Sequence, residues 1–263
     1  MRFLRAALPL MLAVSSTAGA YPPSALPEKT LRADLAAALH IDIDHVVDAA
    51  GVGITRAKGT EGIVVGRYRE KQNRWTFPAL ATYHPCKLGT CVASVHLGSA
   101  ARRVAAVELI DLDAPSTTLQ SLEFRSPGSP LPEPPKRAKW PVLVVVAERQ
   151  VEGREETDLL LVSLRPASQP TVLFDRTIHE RWTQPSHTDP PPPAHAPIGR
   201  ATERVVVGRE GKSYRLTMTE RPIDSPTNPC LRSKAFDYPF LLDNGRFRES
   251  PLPPGVFPPI PCH

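Results

Sequence analysis

The sequence predicts a mostly β fold, either an antiparallel sandwich or two packed small β units, with a short helical N-terminus and Pro-rich loops. The chain of 263 residues contains 31 prolines, more than twice the usual frequency, which disfavours a mostly helical protein. About ten segments rich in Val, Ile and aromatic residues are separated by turn-forming residues. A hydrophobic share of 41% and a charged share of 22% are typical of globular proteins and argue against general disorder.

Residues 1–20 have the three features of a secretory signal peptide: a basic start, a short apolar stretch and a small-x-small cleavage site. They are Arg2 and Arg5, residues 6–14, and Ala18 and Ala20 before a cleavage that leaves Tyr21 first. The apolar stretch is too short to cross a bilayer, and so is every later apolar run. We therefore expect export by the Sec route to the periplasm or the cell exterior, with no transmembrane segment after signal removal.

The mature chain is predicted to begin with a short amphipathic helix. Leucines recur at every fourth position and so lie on one helical face. They are Leu31, Leu35 and Leu39. Pro27 and Glu28 suit the first turn of this helix. A second short helical turn is predicted over residues 45–50, with Asp44 as its cap and Gly51 as its end.

Strands are predicted along the rest of the chain, wherever β-branched and aromatic residues cluster. The predicted ranges are 62–69, 75–83, 91–97, 103–112, 142–148, 158–164, 172–178, 204–209 and 213–219, and a final hairpin around residues 240–247. Residues 142–147 form a continuous apolar run, as expected of a strand covered on both faces. In the final hairpin, Asn244 and Gly245 suit a type I′ turn.

Two Pro-rich segments divide this pattern into a predicted domain organisation. Residues 126–139 form a linker or surface loop, and residues 184–197, with four consecutive prolines, form an insertion of polyproline character. The predicted units are therefore a helix plus β unit over residues 21–125 and a second β unit over residues 140–263. The alternative is that the two units form one domain.

Four cysteines in an exported chain favour disulfide bonds over metal ligands. Three pairings are possible, and the sequence alone does not choose between them. A local bond between Cys86 and Cys91 is favoured, because Gly89 gives the intervening turn conformational freedom. Cys230 and Cys262 would then tie the Pro-rich tail to the body of the protein.

The same region contains an alternative zinc site, formed by His84, Cys86, Cys91 and His96. Their spacing matches no recognised zinc pattern, and an oxidising compartment disfavours free thiolates. If the cysteines flank a hairpin, the histidines lie on its two arms as an ordinary cross-strand pair. No cofactor and no catalytic residue is predicted.

Charge and motifs limit the function classes. The positive excess is small once the signal peptide is removed, so no nucleic-acid partner is expected. Arg204, Arg209 and Arg215 would form either a basic stripe for acidic envelope polymers or an ordinary polar sheet face. The nucleophile elbow, the helical zinc-peptidase motif and the phosphate-binding glycine loops are absent from the sequence.

Three functional hypotheses remain. The leading one is a non-enzymatic binding module of the cell envelope, whose partner is a protein or another envelope component. An alternative is a secreted hydrolase whose site is assembled from distant residues, with His84, His96 or His179 as the base. A further alternative is a periplasmic inhibitor or immunity-type protein, which would bind one partner stoichiometrically.

Overall fold

The described part of the chain is mostly β, as the sequence predicts. In the computed structural model it forms one α-helix, one 3₁₀ turn and thirteen strands in two antiparallel sheets, an arrangement consistent with a β-sandwich. The described residues are 26–51, 62–70, 75–87, 89–99, 101–114, 117–119, 139–151, 153–166, 168–182, 199–223 and 235–252.

The predicted N-terminal helix is confirmed as α1 (Glu28–Leu39). Its leucine stripe faces the protein interior, where Leu31 and Leu35 are buried and Leu39 packs at the margin. The helix ends at His40, which adopts a left-handed conformation with φ 57°. The leucines at every fourth residue therefore identified both the helix and its buried face.

The predicted helical turn over residues 45–50 is wrong. A 3₁₀ turn, Ile43–His45, comes first, and its cap is Asp42, whose side chain accepts a hydrogen bond from the backbone N–H of Asp44 at 3.2 Å. The chain then continues as strand β1 (Val46–Gly51). β-branched side chains suit this strand, and its pairing with a neighbouring strand supplies the hydrogen bonds that a helix would have made.

The first sheet is a four-stranded antiparallel meander in the order β1-β2-β3-β4. The further strands are β2 (Gly62–Arg69), β3 (Thr76–Cys86) and β4 (Gly89–His96). One face packs against α1 through residues such as Val64 and Ala81. The opposite face, which includes Ile63 and Leu80, packs against the second sheet.

The second sheet runs in the order β5-β7-β8-β9-β10-β11-β12-β13, and β6 pairs with β10. These strands are β5 (Arg103–Asp111), β6 (Thr117–Leu119), β7 (Pro141–Val151), β8 (Arg154–Ser163), β9 (Thr171–Trp182), β10 (Gly199–Glu210), β11 (Ser213–Ile223), β12 (Phe236–Asp243) and β13 (Arg246–Glu249). The three-residue strand β6 was not predicted.

This second sheet bends back over itself. β9 and β10 pair only between residues 179–181 and 199–201, after which β10 pairs with β6 instead. Beyond that point Phe174 of β9 packs edge-on against Phe247 of β13, with ring centroids 6.3 Å apart. Side chains of β7 and β8 therefore share one apolar cluster with side chains of β10 to β13.

Strand β7 lies at the centre of the protein and is covered on both faces, as its continuous apolar run predicts. One set of its side chains packs in the core of the bent sheet, and these are Val142, Val144 and Val146. The alternate set packs against the first sheet, and these are Leu143, Val145 and Ala147. The layers are thus α1, the first sheet, β5 with β7 to β9, and β10 to β13.

The final hairpin also follows the prediction. Asn244 and Gly245 both have positive φ, 48° and 76°, as a type I′ turn requires. By contrast, residues 1–20, 126–138 and 184–197, together with Cys230 and Cys262, lie outside the described residues. β5, from the first predicted unit, pairs with β7, from the second. The division of the chain into two units stays a prediction.

Candidate functional site

The four predicted zinc ligands are not brought together. Cys86 and Cys91 form a disulfide bond at the end of the β3–β4 hairpin, so neither is a thiolate. His84 lies opposite Cys91, whereas His96 lies opposite Ala79. Cys91, which lies opposite His84, and His96 are five positions apart on β4, so the two histidines are about 17 Å apart. Because side chains alternate between the two faces of a sheet, this odd number of positions places the histidines on opposite faces. Among the described residues, no cluster of His, Cys, Asp or Glu side chains could hold a metal ion.

The three histidines proposed as a catalytic base occupy three separate places. His96 contacts the Tyr68 hydroxyl through Nδ1 at 2.9 Å on the helix-facing side of the first sheet. Nδ1 of His84 is buried and has no hydrogen-bond partner among the described residues. His179 lies in the second sheet, between Thr157 and Ala201 on the flanking strands.

The predicted arginine stripe is partly neutralised by neighbouring acids. Arg209 donates to Asp113 at 3.1 Å, and Arg215 forms an ion pair with Glu210 at 3.0 Å. The Tyr214 hydroxyl also donates to Asp113, and this bond is the main reason why the pKa of that carboxyl lies below its usual value. A surface with paired charges fits the polar outer face better than a basic stripe.

An open cleft of about 540 Å³ lies between an edge strand of the first sheet and an edge strand of the second. Its walls come from β1 and β2 on one side and from β5 on the other, with contributions from α1 and β7. β1 and β5 are both terminal strands of their sheets. The cleft is therefore bordered by two strands whose outer backbone groups pair with no other described strand.

Small residues line the inner part of this cleft. They are Ala49, Ala50, Gly66 and Ala105. A side chain at position 66 would overlap the Asp48 carbonyl oxygen and would lie 2.6 Å from Leu35 Cδ2. The sequence requires glycine at this position because the backbones of β1 and β2 and the helix approach each other closely. The short side chains leave strand backbone accessible within the cleft.

Charged side chains form the rim of the cleft. Arg67 binds Asp48 through Nε at 2.8 Å, and the backbone N–H of Arg67 donates to the same carboxylate at 3.0 Å. The bond to Asp48 raises the pKa of Arg67 above its usual value. Arg103, Glu28 and Glu148 also line the cleft, and none of the three forms an ion pair with another described residue. The rim thus offers a cation and two carboxylates to a ligand.

A buried charge network is centred on Arg102, which immediately precedes β5 in the chain. Arg102 is 7% exposed and its Nε donates to Asp158, which is fully buried, at 2.7 Å. Its two Nη groups bind Asp175 at 2.8 and 2.6 Å, and Nη1 also donates to the Leu97 carbonyl oxygen at 3.0 Å. Burial by itself lowers the pKa of Arg102, but the bond to Asp175 and the charges of both aspartates outweigh it, so the pKa is raised.

This network joins the connection between the sheets to the central strands. Leu97 directly follows β4, the last strand of the first sheet, and Arg102 directly precedes β5, the first strand of the second. Asp158 also accepts a hydrogen bond from the Thr177 hydroxyl at 2.7 Å and lies 3.2 Å from Arg149 Nε. The network therefore has a structural role, and sequence reasoning missed it. The sequence contains one indication of this network. Asp158 is two residues before the inward-facing Leu160 of β8, so the strand alternation places this carboxylate on the buried face.

A second buried acid, Glu220, lies where β9 and β10 separate. It is 8% exposed, and its Oε1 lies 3.5 Å from Arg176 Nε without forming a hydrogen bond. Arg176 also binds Glu249 at 3.1 Å and lies over the rings of Tyr238 and Phe240, 5.3 and 5.0 Å from their centroids. Arg176 thereby connects β9 to β11, β12 and β13.

The environment of Glu220 favours its neutral form. Burial raises the pKa of this carboxyl above its usual value, Glu249 adds to the rise, and Arg176 and Arg200 counteract it. Tyr238 lies opposite Met218, two residues from Glu220 along β11, and burial raises the pKa of its phenol. A sequence signal was present, because Glu220 continues the inward-facing alternation of Leu216 and Met218.

Comparison with protein-family models, with curated proteins and with solved structures finds no match to this chain. In the described residues, no helix is long and apolar enough to cross a membrane.

Proposed function

We propose that this chain is an exported, disulfide-stabilised β protein that binds another protein through the cleft between β1 and β5. The Cys86–Cys91 bond is compatible with export, because disulfides persist in oxidising compartments outside the cytoplasm. The signal peptide predicted over residues 1–20 supports the same location. A periplasmic or extracellular site of action therefore belongs to the proposal.

The observation that carries the proposal is the meeting of two terminal strands at one cleft. An extended peptide can add to such a strand through backbone hydrogen bonds, while pockets and charges alongside give specificity. Ala50 and Ala105 leave room for a backbone to approach, and Arg103 and Glu148 are available for charged side chains of the ligand. A typical sugar site would supply aromatic rings for stacking, and no described residue lining this cleft is aromatic. These features favour an extended segment of protein over a glycan.

The test compares capture of envelope proteins by the wild-type protein and by two charge-reversal variants. Arg103→Glu changes the rim of the cleft, whereas Arg204→Glu changes an exposed arginine on β10, outside the cleft. We expect Arg103→Glu to lose a partner that both the wild type and Arg204→Glu retain. Ala105→Trp, which fills the cleft, should lose the same partner. Equal capture by all four proteins would contradict binding at this cleft.

The two alternative functions predict different results in the same experiment. An inhibitor or immunity-type protein would capture one partner at equal stoichiometry, and a hydrolase would need no stable partner. Alanine replacement of His84, His96 and His179 without loss of a detected activity would exclude these histidines as the base.

The second disulfide belongs to the proposal as well, because Cys230 and Cys262 lie outside the described residues. Two bonds would leave the denatured protein about 4 Da lighter than its all-thiol form.

A further inference from the structure

The disulfide bond between Cys86 and Cys91 joins two strands that are already held together by other bonds. The two cysteines are five positions apart and lie at the end of the β3–β4 hairpin. β3 and β4 also form a continuous ladder of facing residues, from Ala79 opposite His96 to Cys86 opposite Gly89. A disulfide that closes so short a loop adds less stability than one that closes a long loop. The ladder therefore holds the two strands in register whether the disulfide is closed or open.

The local surroundings of this disulfide are partly exposed and contain a positive charge. Cys86 and Cys91 are both half-buried, and Lys87, which directly follows Cys86, is exposed. Residues 83–96 include no acidic residue. Cysteines that react with other thiols lie in partly exposed, electropositive surroundings, because a neighbouring cation stabilises the thiolate that forms when the disulfide opens. The two cysteines meet both conditions.

His84 is a second group that can supply positive charge beside the disulfide. It lies directly opposite Cys91, so the two side chains are neighbours on one face of the sheet. Nδ1 of His84 is buried and has no hydrogen-bond partner among the described residues. An imidazole beside a thiolate can carry a compensating charge or give it a proton. Asp34, which accepts a hydrogen bond from the Tyr83 hydroxyl at 2.6 Å, lies with α1 on the opposite side of the sheet.

We propose that the Cys86–Cys91 disulfide is redox-active and exchanges with a pair of thiols on another protein. A thiolate of that protein attacks one sulfur of the disulfide, which forms a mixed disulfide and releases the other cysteine as a thiolate that takes up a proton. The second thiol of the other protein then attacks its own sulfur in the mixed disulfide. The other protein leaves with a new disulfide, and Cys86 and Cys91 are both thiols. Two electrons and two protons pass to this chain, and oxidised glutathione reverses the step.

The first test measures whether the disulfide opens while the protein stays folded. The wild-type protein is equilibrated with mixtures of reduced and oxidised glutathione at neutral pH, and free thiols are then blocked. Peptide mass spectrometry gives the reduced fraction of Cys86 and Cys91, and circular dichroism of the same samples follows the β-sheet signal. We expect the reduced fraction to rise across these mixtures with an unchanged β-sheet signal. A disulfide that stays closed in millimolar reduced glutathione, or that opens only as the protein unfolds, would overturn the proposal.

Two charge-reversal variants test the role of the neighbouring cation. Lys87→Glu places a negative charge beside the disulfide, whereas Lys29→Glu makes the same change on another exposed lysine, in the first turn of α1. The measurement is the rate at which dithiothreitol, which is uncharged at neutral pH, opens the Cys86–Cys91 disulfide. We expect Lys87→Glu to slow this reaction at least about threefold and Lys29→Glu to leave it unchanged. Equal rates for the two variants would overturn the role assigned to the charge of Lys87.

A reduced peptide with two cysteines distinguishes a protein substrate from a small thiol. Mixed with an equal amount of the oxidised wild-type protein, the peptide should become about 2 Da lighter as its own disulfide forms, while Cys86 and Cys91 become available for alkylation. Cys86→Ser combined with Cys91→Ser is the matched control and should leave the peptide reduced. Equal oxidation of the peptide by the control, or exchange with glutathione but not with the peptide, would overturn a protein thiol pair as the substrate of this disulfide.

Discussion

Replacement of Arg102 by methionine tests whether the buried charge network holds the two sheets together. Methionine keeps much of the apolar stem of arginine but removes the guanidinium, which makes four hydrogen bonds to Asp158, Asp175 and the Leu97 carbonyl oxygen. Asp175 is 36% exposed at its side chain, so water can replace its lost bonds. Asp158 is fully buried, and among the described residues it then keeps the Thr177 hydroxyl and the neighbouring Arg149 as its polar partners.

The expected loss in the free energy of unfolding for Arg102→Met follows from the Asp158 carboxylate, which loses its arginine partner. Removal of one partner of a buried ion pair typically costs about 3–5 kcal/mol, because the remaining charge stays buried. Since Asp158 retains a hydroxyl donor and a second arginine, we expect the lower end, about 3 kcal/mol. Arg102→Lys should lose less, about 1–2 kcal/mol, because it keeps the charge but not the planar fork that reaches both aspartates.

Urea unfolding followed by circular dichroism measures these free energies of unfolding. If the slope of the unfolding free energy against urea concentration is the same for the wild type and the variants, their unfolding transitions can be compared directly. Arg215→Met is the matched control, because Arg215 is 51% exposed and its partner Glu210 is 66% exposed. An exposed pair contributes about 0–1 kcal/mol. A loss for Arg102→Met no larger than that of the control would refute the network as a stabilising element.

A double variant separates the charge from the packing. Asp158→Asn removes the carboxylate that Arg102→Met leaves unpaired, so the two substitutions together should cost less than the sum of their separate costs by about 1 kcal/mol or more. Strict additivity would mean that the loss comes from packing around the Arg102 stem instead.

Further substitutions test other parts of the structure. Glu220→Gln should raise the free energy of unfolding at neutral pH, because burial raises the pKa of this carboxyl and disfavours its ionised form in the folded protein. The gain in unfolding free energy should shrink as pH falls through that raised pKa. It should vanish below the ordinary Glu pKa, where the wild-type carboxyl is protonated in both the folded and the unfolded state. A gain independent of pH, or an equal gain for the more exposed Glu249→Gln, would contradict this explanation. Gly66→Ala should destabilise the protein by about 1–3 kcal/mol because its methyl overlaps neighbouring backbone, and an unchanged melting temperature would disprove the close approach. Cys86→Ser combined with Cys91→Ser should cost about 2 kcal/mol by the chain-entropy model for so short a loop, and an unchanged urea midpoint would argue against any stabilising role.

Local sequence patterns predicted most of the strands correctly because each reports which face of an element is buried. The leucines of α1 repeat at the helical period, and Asn244-Gly245 has the backbone freedom that a type I′ turn needs. The continuous run at residues 142–147 predicted a strand covered on both faces, and β7 is that strand. These features depend on neighbours within a few residues, so they can be read from the sequence directly.

Features that depend on distant partners could not be predicted in this way. Residues 46–51 look as suitable for a short helical turn as for a strand, and pairing with β2 makes them a strand. Nothing near Arg102 marks it as buried, because its partners lie 56 and 73 residues further along the chain.

The candidate cleft is also a product of tertiary structure, since its walls are terminal strands of two different sheets. A sequence pattern shows that a face or an edge is apolar, charged or free of charge. It does not show which other segment lies against that face or edge, because that depends on how the sheets pack.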